Sequence, residues 1–187
     1  MEIQYIEASK ADMEPIIALY EQYLDSGEHL RTILKECFED ASFIGYKAVC
    51  EGKLVGFYFG SGLLDFSVPH PELEQELREI MGDEDCFVGG GLVVLPEFRG
   101  QGIATKLLLM IKERLIQTGI RYFVVEIAME PNGSIPSKGM YKLIGENIFS
   151  RPIPLFYKEG YRYGVVCAIC GTHCRCGACI EVMEVAR

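Results

Sequence analysis

The sequence predicts an α/β domain: a mixed central sheet flanked by helices, with a cysteine-rich extension at the C-terminus. Three observations lead there. Short β-branched and aromatic runs alternate along the chain with stretches whose apolar residues recur at helical spacing. The apolar run Leu92-Val93-Val94-Leu95 passes through a glycine turn straight into the amphipathic stretch Ala104 to Leu115, a strand-turn-helix unit. Five of the eight cysteines crowd into residues 167–179.

In chain order, Ile3 and Tyr5 alternate with polar residues as a first strand does. Ser9 is placed to cap a helix whose apolar positions are Met13, Ile16, Ile17, Tyr20 and Leu24. A second short helix is expected over Glu28 to Phe38. Phe43 to Cys50 and Leu54 to Gly60 flank the turn signal Glu51-Gly52-Lys53 and predict a hairpin. Pro71 to Met81 sets Leu73, Leu77 and Ile80 against Glu72, Glu74, Glu76 and Glu79, the pattern of an extra surface helix. Its acidic side is either a solvated face or a lid that attracts a cation. Cys86 to Leu95 reads as the central strand, with a bulge expected at Gly89-Gly90-Gly91. Leu107, Leu108, Ile111 and Leu115 form the buried face of the next helix, and Gly119 ends it. Tyr122 to Met129 is apolar enough for a strand buried on both faces, and Ile180 to Val185 is a final strand.

The 187 residues, 49% of them hydrophobic, suffice for one self-supporting core, so residues 1–187 are assigned to one domain. No signal-peptide pattern opens the chain and no apolar stretch approaches the roughly 18 residues of a membrane span, which predicts a soluble, cytoplasmic protein. A formal charge of −9 argues against nucleic acid as a partner and favours a cationic one.

The glycine turn carries the chemistry. Pro96-Glu97-Phe98-Arg99-Gly100-Gln101-Gly102-Ile103-Ala104 brings flexible backbone to a helix start, where unbonded N–H groups and the positive dipole end face an anion. Arg99 adds a planar cationic donor, so a diphosphate is the expected ligand. A Walker loop is absent, and the dinucleotide pattern fails because Thr105 stands where its third glycine belongs and a Pro-containing turn precedes the loop. What remains, R-x-x-G-x-A (Arg99, Gly102, Ala104) preceded by V-x-P (Val94, Leu95, Pro96), resembles the acyl-CoA signature of the GNAT superfamily of N-acetyltransferases. The order of predicted elements is also similar to that family's, over about residues 1–165, leaving a Cys-rich tail at 166–187.

The resemblance implies acetyl-CoA as co-substrate and direct transfer of the acetyl group to a primary amine of a small molecule or peptide. It implies that main chain at Leu92, Val93 and Val94 holds the pantetheine arm and thioester. Arg99, Gly100, Gln101, Gly102, Ile103, Ala104 and Thr105 would hold the diphosphate, with Asn132 as a further contact. Asn132 and Met140-Tyr141-Lys142-Leu143-Ile144-Gly145 resemble the family's last-helix pattern, which makes Tyr141 the general acid returning a proton to the CoA thiolate; Tyr157 is the second candidate. A carboxylate near the central strands is needed as base. Glu126 is preferred, being set among Val124, Val125 and Ile127, over Glu130, Glu84 and Asp85. Members of that family often dimerise, so the resemblance leaves the oligomeric state open between a monomer and a homodimer. The alternative is a non-catalytic acyl-CoA-binding sensor whose output runs through a metal- or redox-responsive tail.

Cys37, Cys50 and Cys86 lie among apolar residues and read as core thiols. The clustered cysteines, with His173 among them, read as a Zn²⁺ site, reduced thiols or a redox pair. Five residues separate the pairs Cys167/Cys170 and Cys176/Cys179, against roughly 15 to 20 in a zinc ribbon. If Tyr163 to Ile169 is a strand, Cys167 and Cys170 point to opposite faces, so the expected quartet is Cys170, Cys174, Cys176 and Cys179.

Overall fold

The computed structural model describes residues 2–185. Its strands are β1 (Ile3–Glu7), β2 (Ile44–Cys50), β3 (Lys53–Ser61), β4 (Cys86–Val94), β5 (Tyr122–Met129), β6 (Gly145–Ile153) and β7 (Gly177–Val185). They form one sheet in the order β1-β2-β3-β4-β5-β7-β6, with β4 and β5 parallel and every other neighbouring pair antiparallel. The helices are α1 (Met13–Tyr23), α2 (Glu28–Glu39), α3 (Pro71–Met81) and α4 (Ile103–Thr118). This is the mixed, helix-flanked sheet the sequence predicts.

Local chemistry explains the joints. Glu51 (φ 49°) and Gly52 (φ 77°) place two left-handed residues between β2 and β3, a turn whose twist matches that of the strands it joins. Ser9 caps a 3₁₀ turn over residues 10–12 instead of α1 itself, and the Asp12 carboxylate accepts from its N–H at 3.0 Å. Gly102 (φ 78°) and Gly119 (φ 76°) bound α4 in the conformation that a side chain would disfavour.

The sheet divides the core. On one face α1 and α2 bury Ile16, Ile17, Leu30, Leu34 and Phe38 against Phe57, Phe59 and Val93. On the same face α3 lays Leu73, Leu77 and Met81 against Val124, Ile180 and Val182. On the other, α4 buries Leu107, Leu108, Ile111 and Leu115 against Val55, Phe123 and Val125. Each fully buried Leu contributes about 1.5–3 kcal/mol relative to exposure.

Two expectations are corrected. The helix expected around Tyr141 is a short 3₁₀ turn, Met140–Leu143, because Pro131, Pro136 and the left-handed Gly133 (φ 84°) and Gly139 (φ 82°) break the preceding chain. Tyr163 to Ile169 is not a strand: a 3₁₀ segment, Phe156–Tyr163, is followed by two isolated bridges, Ser26 with Val166 and Cys167 with Gly171. Of the two readings of the acidic helix α3, the solvated face accords with its packing: Leu73, Leu77 and Met81 lie on the sheet, and Arg151 of β6 pairs with its Glu76. No helix among the described residues is long and apolar enough to cross a membrane.

Candidate active site

The parallel pairing of β4 with β5 runs from Cys86 opposite Tyr122 to Gly89 opposite Val125, and then stops. On the other side of β4 the register with β3 jumps at the same point: Phe59 faces Gly91 while Gly60 faces Gly89, so Gly90 is the extra residue of a bulge. The glycines are required there. A Cβ on Gly90 would lie 2.8 Å from the Phe59 ring, and one on Gly89 would lie 2.2 Å from the Tyr58 hydroxyl. Beyond the bulge β4 and β5 splay apart, leaving the main chain of Leu92 to Val94 without a strand partner on that side.

A cavity of about 680 Å³ runs through this splay. Arg99, Ala104, Leu92, Val93 and Val94 line it from β4 and the loop after it, Val125 to Ala128 from β5, and Asp25, Tyr157 and Ile169 from the chain outside the sheet. It takes wall residues from both faces of β5, because strand alternation sends Val125 and Ile127 toward α4 and Glu126 to the opposite side.

At the loop end, Gly100 (φ 74°) and Gly102 (φ 78°) are left-handed and nothing within 4 Å would obstruct a Cβ on either. The space over them is open to a ligand. The N–H of Lys106 is bonded to Gly102 O at 3.0 Å, so the N–H groups of Ile103, Ala104 and Thr105 precede the first helical bond of α4 and point outward from its positive end. Arg99 Nε donates to Val94 O at 3.0 Å, tying the loop to the end of the splayed strand, with the rest of its guanidinium exposed. Gly100, Gln101 and Thr105 are exposed beside it. Asn132, like Gly100, Gln101, Gly102, Ile103 and Thr105, does not wall the cavity; it is exposed, and its Oδ1 accepts from Ser134 N–H at 2.8 Å in a local turn.

The proton-transfer candidates gather at the cavity. Tyr141 is buried on its wall, its ring packed against Phe123 and Tyr58 at centroid distances of 5.8 and 6.4 Å. Burial, then the charge of Glu181, pushes its hydroxyl above the usual phenol range. Glu126 Oε1 accepts from the Tyr157 hydroxyl at 2.5 Å, and its Oε2 accepts from Ser67 N–H at 3.2 Å. Desolvation raises the Glu126 carboxyl above the ordinary carboxylate range, and these two donors partly offset it. The other carboxylates fall away: Glu84 pairs with Arg121 at 3.6 Å beside the far end of β4, and Glu130 is held by Ser134 Oγ at 2.8 Å.

Three wall residues escaped the sequence reading. Asp25, between α1 and α2, is raised by desolvation and steadied by Ala168 N–H at 3.1 Å. Burial, then Asp25, Glu126 and Tyr141, push the Tyr20 hydroxyl above the usual phenol range. The Tyr58 hydroxyl is buried without a hydrogen-bond partner among the described residues. A buried hydroxyl left so costs about 1–3 kcal/mol, and Tyr58 is one of the cavity's wall residues. The alternation of Tyr58 with Phe57 and Phe59 marked it as facing the opposite side of the sheet from its neighbours, but not its place at the splay.

The cysteine quartet is corrected in one member. The Sγ atoms of Cys167, Cys170, Cys174 and Cys176 all lie within 4.8 Å of one another, and His173 is exposed outside the group. Cys179 belongs to β7, where alternation turns it to the α4 face, with its Sγ 3.5 Å from Ser150 Oγ. The condition on which it was preferred, a strand through Cys167, is not met. Cys37 and Cys50 are buried core thiols as expected, and burial pushes Cys37 up to about 12.

The model of the acetyltransferase (GNAT) family matches residues 10–145. Among solved structures, the chain is similar to the ribosomal-protein-S18-alanine N-acetyltransferase from Escherichia coli, at 14% identity over 100% of this chain and 96% of that one, with a TM-score of 0.62. It is similar to Arabidopsis thaliana NAA60 in complex with acetyl-CoA, at 14% identity over 98% of each chain and a TM-score of 0.67. It is also similar to a GNAT family acetyltransferase from Elizabethkingia anophelis with acetyl-CoA bound, at 16% identity over 98% of each chain and a TM-score of 0.62. Identities this low speak to fold alone. No curated protein matches the chain in sequence.

Proposed function

The chain belongs to the acetyltransferase (GNAT) family, and from that premise we propose that it transfers an acetyl group from acetyl-CoA to a primary amine of a small-molecule or peptide acceptor. The observation that carries this reading is the single cavity joining the N-terminus of α4, through the splay, to Glu126. The residues suit acetyl-CoA: open glycines and free helix amides for the diphosphate, strand main chain for the pantetheine arm, and the unpaired Tyr58 hydroxyl beside the splay.

When bound, acetyl-CoA supplies the thioester. The main chain of Leu92 to Val94 and the Tyr58 hydroxyl orient its carbonyl. Glu126, with its raised carboxyl, takes the proton from the acceptor ammonium, directly or through a water. The amine nitrogen then bonds to the carbonyl carbon, the C–S bond breaks, and Tyr141 gives the departing thiolate its proton. Because the Tyr141 hydroxyl is held in its neutral form, that transfer is coupled to C–S cleavage. Asp25, Asp65 and Glu126 among the apolar wall residues favour a cationic acceptor with an apolar body.

The test is thiol release from acetyl-CoA against a panel of amines, wild type beside Tyr141→Phe. Amine-dependent release that collapses in the variant supports the enzyme and its acid. Tight acetyl-CoA binding without turnover on any amine would replace this reading with the sensor.

A further inference from the structure

We propose that Cys167, Cys170, Cys174 and Cys176 bind one Zn²⁺ as four thiolates, and that the resulting knuckle builds the acceptor-side wall of the cavity. The wall's role in acetyl transfer rests on the function proposed above; the metal site does not.

Four sulfurs drawn from ten residues of irregular chain converge within 4.8 Å, with Cys167 Sγ 3.9 Å and Cys170 Sγ 3.5 Å from Cys176 Sγ. A tetrahedron with Zn–S bonds of about 2.3 Å spaces its sulfurs about 3.8 Å apart. The backbone is shaped for this convergence. Gly171 turns through a left-handed φ of 72°, and Cys167 and Gly171 exchange backbone hydrogen bonds of 3.2 and 2.8 Å around the turn. Amide hydrogens already point at two of the sulfurs, from Ile169 to Cys167 Sγ at 3.4 Å and from Cys176 to Cys174 Sγ at 3.3 Å. Such donors are what a metal-bound thiolate uses to spread its negative charge. Packing thiols as small apolar groups requires neither convergence nor these donors. An all-sulfur donor set excludes Mg²⁺ and Ca²⁺ and suits Zn²⁺.

The knuckle is also structural for the cavity. Cys167, Ala168, Ile169 and Cys176 wall it directly. Val166 and Ser26 exchange backbone hydrogen bonds of 2.8 and 3.0 Å, and the Ala168 N–H holds Asp25 at 3.1 Å. The connection between α1 and α2, with its carboxylate, therefore hangs on Val166 and Ala168, which flank the first of the four cysteines. Coordination releases the thiol protons to solvent and leaves the knuckle anionic beside Asp25, which adds to the attraction for an ammonium.

The experiment uses the full chain, reduced and supplied with one equivalent of Zn²⁺. Elemental analysis should find one zinc per chain, and Co²⁺ in its place should give intense thiolate charge-transfer bands with tetrahedral d–d bands. Cys167→Ser and Cys174→Ser should lose the metal while Cys179→Ser keeps it; a circular dichroism spectrum like that of the wild type reports that each variant is folded. Chelation of the wild type should speed hydrogen exchange at the Ser26, Val166 and Ala168 amides and leave acetyl-CoA affinity within twofold. Substoichiometric zinc, iron in its place, or metal lost from Cys179→Ser but kept by Cys167→Ser would overturn the site. Unchanged exchange on chelation would overturn its role in the wall. None of these readouts requires turnover.

Discussion

The Tyr157 hydroxyl donates to Glu126 Oε1 at 2.5 Å, pinning the 3₁₀ segment after β6 to the carboxylate of β5 across the cavity wall. Tyr157 thereby stabilises the charged form of a carboxyl that desolvation pushes toward neutrality. In the proposed mechanism the base works only when ionised, so Tyr157→Phe raises the Glu126 pKa further and moves the acid limb of kcat/KM to higher pH. A pH profile of wild type and variant measures the displacement; an unmoved limb assigns the base elsewhere.

The same carboxyl carries a stability signature. Its folded pKa lies above the unfolded value, so the folded state holds the extra proton and stability is lost as pH rises through the raised pKa. Glu126→Gln removes that loss. The variant should melt higher than wild type at about pH 8, with the advantage fading toward about pH 4, while turnover falls about 10²–10⁴-fold.

Tyr58 offers a parallel test on the other face. Its hydroxyl is buried and unpaired among the described residues, and its ring packs between Phe87, Phe123 and Tyr141. Tyr58→Phe keeps the ring and removes the orphan, so the ligand-free protein should gain about 1 kcal/mol in denaturant unfolding. Acetyl-CoA turnover should fall. A variant that loses stability would mean the hydroxyl is satisfied without ligand.

How much of this was legible in the sequence follows from what sets each element. The hairpin at Glu51-Gly52, the bulge at Gly90 and the ends of α4 are local decisions made by glycines and apolar period, and each stands where the pattern placed it. The pairing of Glu126 with Tyr157 joins residues 31 apart through a segment with no periodic signal. Asp25 reaches the cavity by contact with Ala168, 143 residues away. The fourth cysteine was misassigned because strand alternation was applied to residues 163–169, which form no strand, whereas it does apply to Cys179.

The acidic helix α3 poses a plain choice between cover and lid. Leu73 and Leu77 are fully buried under it, and none of its residues walls the cavity. Leu77→Ala should cost about 2–5 kcal/mol in chemical denaturation. Glu72→Gln and Glu79→Gln, both on the exposed side, should leave the acceptor KM unchanged. A KM change in either would favour the lid.

Gly102 and Gly119 form a matched pair at the two ends of α4. Both are left-handed, at φ 78° and 76°, and neither has a neighbour within 4 Å of its would-be Cβ. Alanine at either position meets the same backbone strain and no protein clash, so each substitution should cost about 1 kcal/mol of stability. Their surroundings differ once a ligand arrives. At Gly102 the methyl group stands where free amides of the helix start would meet a diphosphate, whereas Gly119 lies a full helix away. Gly102→Ala should therefore weaken acetyl-CoA binding by calorimetry at least tenfold, about 1.4 kcal/mol, while Gly119→Ala leaves the affinity as it was. Equal affinities in the two variants would place the diphosphate away from this loop, and with it the orientation of acetyl-CoA in the cavity.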